Sequence, residues 1–196
     1  FADPLVNDDV TLVTEAYQAH LVAGHTSWAE DTDLDGDYDV LTVNASVEAI
    51  VGGYLYVNAH LYDSSYNWIT TEWNGAAIAA GSGVDSVSFV GEEIYAAMGD
   101  GPYDIGLDLY DYEWNYIDTD THLTAAYAYT DFDPPIAMFV PPFSDYGRDD
   151  DSDLMYDYLV VNVTIEVFDP GYYTIVGDLY DNWYGTNLGY YTYSAM

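Results

Sequence analysis

The segment DTDLDGDYDVLTVNASVEAIVGGYLYVNAHLYD (31–63) lies without a gap on DDDSDLMYDYLVVNVTIEVFDPGYYTIVGDLYD (149–181), a shift of 118 residues. Aspartates coincide at 31/149, 33/151, 35/153 and 39/157. So do Tyr38/Tyr156, Leu41/Leu159, Val43/Val161, Asn44/Asn162, Glu48/Glu166, Gly53/Gly171 and Tyr54/Tyr172. Shared composition alone would not hold this register, so one structural unit has been duplicated. Whatever strands the first copy forms, the second must form at the matching positions.

Those strands show in a period of two. Leu41, Val43, Ala45 and Val47 point one way and Thr42, Asn44 and Ser46 the other; Leu55, Val57, Ala59 and Leu61 form the inward set of 54–62. Such alternation, broken by GG and PG, describes half-buried antiparallel strands. Further strands are predicted near 86–90, 103–110 and 121–130, and no stretch has a helical period. The expected fold is all-β, an antiparallel β-sandwich (Ig-like or jelly-roll-like) repeated along the chain. The expected division is an N-terminal strand segment (1–26), a complete repeat (27–134), a Pro-rich linker (135–148) that PPIAMFVPP begins, and a partial second repeat (149–196). The second copy lacks counterparts of VDSVSFVGEEIY and GPYDIGLDLYD.

Composition narrows the function. The 196 residues carry 35 acids against one base, Arg148, for a formal charge of −34, yet half are hydrophobic and can bury a core. Nucleic acid is excluded, since binding it needs Lys and Arg to displace counterions, and anionic membrane surfaces are disfavoured. No run is long enough to span a bilayer, so no membrane insertion is expected. Two readings of the acidity remain, divalent-cation binding and life in high salt, where self-repulsion is screened. There is no cysteine, hence no disulfide or thiolate metal site, and the absence of lysine excludes isopeptide staples. The start, FADPLVNDDV, reads as mature secreted material or a fragment of something longer, and the expected location is extracellular, at the cell surface.

The acids have a register of their own. Asp31, Asp33, Asp35 and Asp39, with Gly36 at the sixth position, have calcium-loop spacing: side-chain oxygens at positions 1, 3, 5 and 9 and a backbone carbonyl at 7, here Asp37. Asp149, Asp151, Asp153 and Asp157 repeat it, with Met155 at position 7 and Leu154 where glycine is expected. Hard carboxylate oxygens without His or Cys favour calcium. No bidentate Glu stands at position 12, so a further ligand must come from elsewhere, with Asp63, Asp100 and Asp181 as candidates. The alternative is a solvated acidic turn, against which the repeated spacing weighs.

Over about nine residues the loop resembles EF-hand and dockerin-type calcium loops, although it leads into a strand. The wider pattern, an Asp-rich loop followed by YDYLVVNV, GYYTIVGDLYD and GDGPYDIGLDLYD, resembles calcium-binding β-sandwich repeat modules of secreted archaeal and bacterial surface proteins and proteases. It is loosely similar to archaeal extracellular tube and fibre subunits. The resemblance implies a non-catalytic, adhesive or architectural role.

Catalytic signatures are missing: no HExxH, GxSxG, P-loop or dinucleotide fingerprint occurs. His20 and His25 do not have zinc-pair spacing, and His60 and His122 are expected on the solvent side of strands. Glu92 and Glu93, as neighbours on a strand, would point to opposite faces and could not flank one glycosidic bond. No enzyme is expected. Asn44-Ala45-Ser46 and Asn162-Val163-Thr164 are matched N-glycosylation sequons with outward Asn side chains. Outward Tyr54, Tyr56, Tyr62, Tyr172 and Tyr180, with Trp68, Trp73 and Trp114, suit a subunit interface, a carbohydrate platform or plain β-propensity.

The leading expectation is a calcium-stabilised structural subunit of a surface filament, tube or layer, whose partners are identical subunits. The N-terminal segment 10–21, through Leu12, Thr14 and Ala16, would complete the second copy's apolar face (Leu159, Val161, Val163 and Ile165) in the next subunit. The alternative is a carbohydrate- or surface-binding β-sandwich module of a larger secreted protein.

Overall fold

The computed structural model describes residues 19–181 and 185–195 and divides into two units, residues 1–133 and 134–196. The first contains β1 (Ala19–Leu21), β2 (Thr26–Glu30), β3 (Val40–Ala49), β4 (Gly53–Tyr62), β5 (Trp68–Ile78), β6 (Gly81–Val90), the short helix α1 (Gly91–Ala97), β7 (Asp104–Asp111) and β8 (Tyr116–Leu123). The second contains β9 (Ala137–Arg148), β10 (Tyr158–Val167), β11 (Tyr173–Tyr180) and β12 (Asn187–Ala195).

The first unit is an antiparallel sandwich. In one sheet β3 is central, with β6 along one edge and β1 and β2 sharing the other; the second sheet runs β5-β4-β7-β8. The alternation read in the sequence sets the faces. Leu41, Val43, Ala45 and Val47 of β3 and Val57, Ala59 and Leu61 of β4 are wholly buried between the sheets, joined by Ile105, Leu107 and Leu109 of β7. Phe132 and Tyr103 close one end, where Tyr38 packs edge-on against Phe132 and Tyr127.

Two hairpins of this unit are the same device. In each, an Asp takes the backbone N–H groups two and four residues on at Oδ1, and the amide of the following Asn at Oδ2: Asp63 with Ser65 and Asn67, Asp111 with Glu113 and Asn115. The residue before that Asn takes a left-handed backbone, Tyr66 at φ 62° and Trp114 at φ 65°. The Asp side chain stands in for turn backbone, which is the reason for the recurring Tyr-Asp.

The second unit reproduces the registers of the first. Val40↔Glu30 and Ala49↔Ala19 return as Tyr158↔Arg148 and Val167↔Ala137, so the single strand β9 occupies the places of β1 and β2. The β4–β5 ladder, closing at Tyr62↔Trp68, returns in β11–β12, closing at Tyr180↔Asn187, with one residue more in the connection. Among the described residues β6, α1, β7 and β8 have no counterpart. Consequently β10 pairs on one edge only, and its inward row is open: Leu159 and Val161 are 52% and 58% exposed where Leu41 and Val43 are 0%.

Several expectations are corrected. The stretch 135–148 is no linker but nearly all strand β9; Pro141 and Pro142 lie where its register against β10 jumps between Asn162 and Thr164, so no ladder bond is asked of them. Ala19, His20 and Leu21, read as the end of a segment lent to a neighbour, pair with Ala49, Glu48 and Val47 of their own unit. Leu12, Thr14 and Ala16 lie outside the described residues. The predicted strand 121–130 is Tyr116–Leu123, which reverses its faces: His122 stands opposite buried Ile105 and points inward. Glu92 and Glu93 open helix α1, not a strand, and both are exposed.

Candidate functional site

Both Asp loops fold alike, each by turning its own carboxylates onto its own backbone. In the first, Asp31 accepts the N–H groups of Leu34 (2.6 Å) and Gly36 (3.1 Å), Asp33 that of Asp35, and Asp35 that of Asp37. Asp39 closes the loop by accepting both the N–H and the hydroxyl of Thr32. In the second, Asp149 accepts from Ser152 (2.7 Å) and Leu154 (3.0 Å), Asp151 from Asp153, Asp153 from Met155, and Asp157 from Asp150. Each backbone N–H bond falls on its counterpart 118 residues away; the Thr32 hydroxyl bond has none, since Asp150 stands in the place of Thr32. The sixth position is left-handed in both, at φ 112° for Gly36 and 75° for Leu154, so the second loop makes the turn without glycine. Leu154 is fully in solvent there, which leaves its side chain room.

The carboxylates converge differently from the spacing's expectation. Ligand oxygens of Asp31, Asp33 and Asp39 lie within 4.8 Å of one another, as do those of Asp149, Asp151 and Asp157. Positions 1, 3 and 9 thus meet and position 5 does not. Asp35 turns instead to Asp37 and Asp133, a second group of three within the same distance. Its counterpart Asp153 has Met155 in place of Asp37 and joins no group among the described residues. Asp63 caps its own hairpin, Asp100 accepts the N–H of Tyr129, and neither joins a carboxylate group among the described residues. Asp181, the third of those candidates, likewise joins no group among the described residues.

Asp133 was not legible in the sequence. It reaches the loop because Tyr38 and Phe132 form a bridge and exchange backbone bonds through Asp131 and Asp133. Burial, then a hydrogen bond shared with Asp39 and the charges of Asp39, Asp35 and Asp33, push its carboxyl up to about 6. Asp39 is held below its ordinary value by the hydroxyl and N–H of Thr32. Both donor sets are all-oxygen and anionic, the chemistry of a hard divalent cation. The first loop can hold one through Asp31, Asp33 and Asp39, the second through Asp149, Asp151 and Asp157.

A second feature lies on the outer face of the β5-β4-β7-β8 sheet. Two adjacent rows cross it, Trp73–Asn58–Asp108–Thr119 and Gly75–Tyr56–Tyr110–Tyr116. Trp114, from the β7–β8 hairpin, stacks flat on Tyr56 (4.4 Å, 10°), and Trp73 stands edge-on to both. His60 meets Asp108 at 3.3 Å and Thr71 at 2.9 Å beside them. Of the outward aromatics read in the first copy, Tyr54, Tyr56, Trp73 and Trp114 are brought together, whereas Tyr62 and Trp68 pair at the far end of the face, where Trp68 donates to Thr71. Tyr172 and Tyr180 are exposed in the second unit.

His20 is half-exposed, 3.7 Å from Glu48, and the remaining two histidines build structure. The His25 side chain is buried, accepts the Ser46 N–H at Nδ1 and meets Asp120 at Nε2; His122 meets the hydroxyl of Ser27. Of the sequons, Asn162 is exposed and donates to Ser144, and half-buried Asn44 accepts from Ser86.

No known protein family matches the sequence, and no curated protein matches it. Among solved structures, it is similar to a calcium-binding mutant of Bacteroides uniformis beta-glucuronidase 2, with a TM-score of 0.41 and 13% identity over 56% of this chain and 14% of that one. It is similar to a glycosyl hydrolase family 2 member from Bacteroides cellulosilyticus (0.39, 10%, 54% and 15%). A third is the beta-D-glucoside glucohydrolase of Trichoderma reesei (0.29, 12%, 56% and 19%). This chain spans under a fifth of each of them, and likeness at these scores passes neither activity nor ligand to it.

Proposed function

We propose that the chain is a non-catalytic β-sandwich repeat, held by calcium, that serves as a carbohydrate- or surface-binding module of a larger extracellular protein. The observation that carries this reading is that every backbone N–H bond to a carboxylate in the first Asp loop recurs in the second. Solubility needs charge but not register, whereas an ion needs oxygens at fixed places. Each loop precedes β3 or its counterpart β10, so a cation there pins the strand's start and offsets local repulsion. What remains for the surfaces between loops is recognition, and the outer sheet face of the first unit is the one supplied with clustered aromatic and polar groups.

The test joins both halves of the reading. Calorimetric titration of the purified chain should show calcium uptake, and the chain should adhere to cell-envelope preparations in calcium and lose adherence on chelation. A chain that neither takes up calcium nor adheres overturns the proposal.

The open row of β10 favours a second reading, a filament or layer subunit completed by strands from an identical neighbour. The exposed Leu159 and Val161 would then be covered on assembly. This reading is narrower than the sequence expectation, because residues 19–21 are already paired in their own sheet. Electron microscopy with and without chelator decides it: filaments that survive deletion of residues 1–18 exclude that segment as the donor.

A further inference from the structure

We infer that the outer face of the β5-β4-β7-β8 sheet is a binding platform for a neutral saccharide, with Trp114 and Trp73 as its stacking surfaces and Asn58, His60 and Asp108 as its hydrogen-bonding edge. The inference rests on the binding-module reading and names its site and ligand class.

Part of the cluster has a structural cause. Gly75 leaves a bare stretch of β5, and the rings of Tyr54 and Tyr56 lie down over it. A Cβ at Gly75 would sit 2.6 Å from Tyr56 Cδ1 and 2.8 Å from Tyr54 Cε1. Tyr54 also donates its hydroxyl to the Gly75 carbonyl. Aromatic cover of a strand glycine stabilises a sheet, so these two rings need no ligand to explain them. Trp114 and Trp73 are not so explained. They are 54% and 59% exposed, well beyond what burial would ask of the largest apolar side chains. Trp114 holds the left-handed position of its hairpin at φ 65°, as Tyr66 does in the other hairpin, where Gly or Asn would sit more easily. From that position the indole lies flat on Tyr56, at 4.4 Å and 10°. Trp73 meets it at 72° and 5.8 Å, making a corner with an aromatic floor and an aromatic wall.

The second copy shows that the fold does not require this. In the same ladder register, Tyr56 and Gly75 are replaced by Thr174 and Ser194, whose hydroxyls bond at 2.9 Å, and Trp73 by Thr192. One backbone pattern is built with small hydroxyl side chains in one unit and with an aromatic corner in the other. β-Propensity alone would treat both alike.

The neighbours identify the ligand class. Asn58 and Asp108 occupy the row next to Tyr56 and Tyr110, within reach of anything resting on the rings. His60 links the two, 3.4 Å from Asn58 and 3.3 Å from Asp108. Flat apolar rings beside carboxylate, amide and imidazole groups complement a pyranose, which has C–H faces for stacking and hydroxyls at its rim. A charge of −34 and Asp108 on the platform repel polyanions and a second copy of the same face. A neutral sugar meets neither objection.

Affinity electrophoresis of the whole chain in calcium tests this, with laminarin, xyloglucan, galactomannan, arabinoxylan and soluble starch as neutral probes and alginate as the anionic one. At least one neutral polysaccharide should retard the protein and alginate should not. Trp73→Ala and Trp114→Asn should each weaken binding about tenfold or more, the loss typical of a central aromatic anchor. Trp114→Asn suits the left-handed turn, so equal melting temperatures will show that folding is intact. Gly75→Val should weaken binding by lifting the Tyr rings with both tryptophans still present, and Trp28→Ala, on the opposite sheet, should change nothing. No retardation by any neutral probe overturns the platform, as does wild-type affinity in both tryptophan variants. Calcium-dependent adherence to cell envelopes that survives Trp73→Ala and Trp114→Asn also overturns the platform, while leaving the binding-module reading in place.

Discussion

His25 and Asp120 meet across the gap between the two sheets of the first unit, imidazole Nε2 3.1 Å from carboxylate Oδ2. They belong to a polar seam along the sandwich's edge. Ser27 meets His122 at 2.9 Å, and the Leu21 N–H donates to Asp118 at 2.9 Å. Asp118, Asp120 and His122 all point inward from β8, an edge strand. Inward charges on an edge discourage pairing with foreign strands, and here β1 and β2 satisfy them.

The seam predicts acid sensitivity. Burial, and then the charge of nearby His25, hold His122 below its ordinary value of 6.5. As pH falls below about 6.5, the unfolded chain takes up a proton that folded His122 refuses, so stability falls until the folded value is passed. Melting temperature followed from pH 7 to 5 should drop less in His122→Gln than in wild type. His25→Phe should destabilise by about 1–3 kcal/mol, since it strands the Ser46 N–H and the Asp120 carboxylate together.

Asp85 predicts the opposite sign. It points into the core from β6, with Asn74 donating to Oδ1 at 2.7 Å and no partner for Oδ2 among the described residues. Burial raises its pKa against the hydrogen bonds from Asn74 and Ser86. A raised folded value means that the charged form is a liability above it, relieved as pH falls through it. Asp85→Asn should therefore stabilise the chain at pH 7 by about 1 kcal/mol, because burying an uncompensated charge costs more than burying an amide. The gain should vanish towards pH 4, and chemical denaturation at both pH values measures it.

Calcium should raise stability by mass action, by about 2.7 kcal/mol at a hundredfold excess over the dissociation constant. Asp33→Asn and Asp151→Asn, one per loop, should each lower the calcium count by one in titration calorimetry. Identical melting in calcium and in chelator, at matched ionic strength, would refute the role of both loops.

The sequons predict unequal occupancy in glycosylated native material. Asn162 is exposed on a strand with one neighbour, whereas Asn44 is half-buried on the central strand and its Oδ1 is held by Ser86 at 2.6 Å. Peptide mass mapping should find Asn162 carrying more glycan than Asn44, and equal occupancy would show that sheet position does not matter.

The core and the repeat were legible because both are local or periodic: Leu41 to Val47 declare their faces by alternation, and the Asp loops declare themselves by spacing. What was missed depends on distance or on brevity. Helix α1, at seven residues, is too short to show a period. Asp133 joins Asp35 and Asp37 only because a bridge between Tyr38 and Phe132 brings the end of the copy to its beginning. The parity of β8 hinges on where the strand ends, and an error there turned His122 outward. Pro141 and Pro142 looked like a linker because proline breaks a ladder, yet at a register jump there is no ladder bond to break.

The two copies should differ most in their protection against hydrogen exchange. β3 is flanked on both edges and covered by the facing sheet, so its amides open only with the whole unit. β10 has the same register to β9 but no second neighbour among the described residues, and Leu159 and Val161 are exposed where Leu41 and Val43 are not. With half the ladder and an uncovered inward row, the second unit holds its strands by fewer interactions per residue. Amides of 159–165 should exchange at least a hundredfold faster than those of 41–47, a difference of about 2.7 kcal/mol in opening free energy. Any partner that completes the second unit must pair with β10's second edge and cover this row. Adding such a partner should slow exchange in 159–165 selectively, and equal protection of the two strands in the isolated chain would show that the open row is already covered.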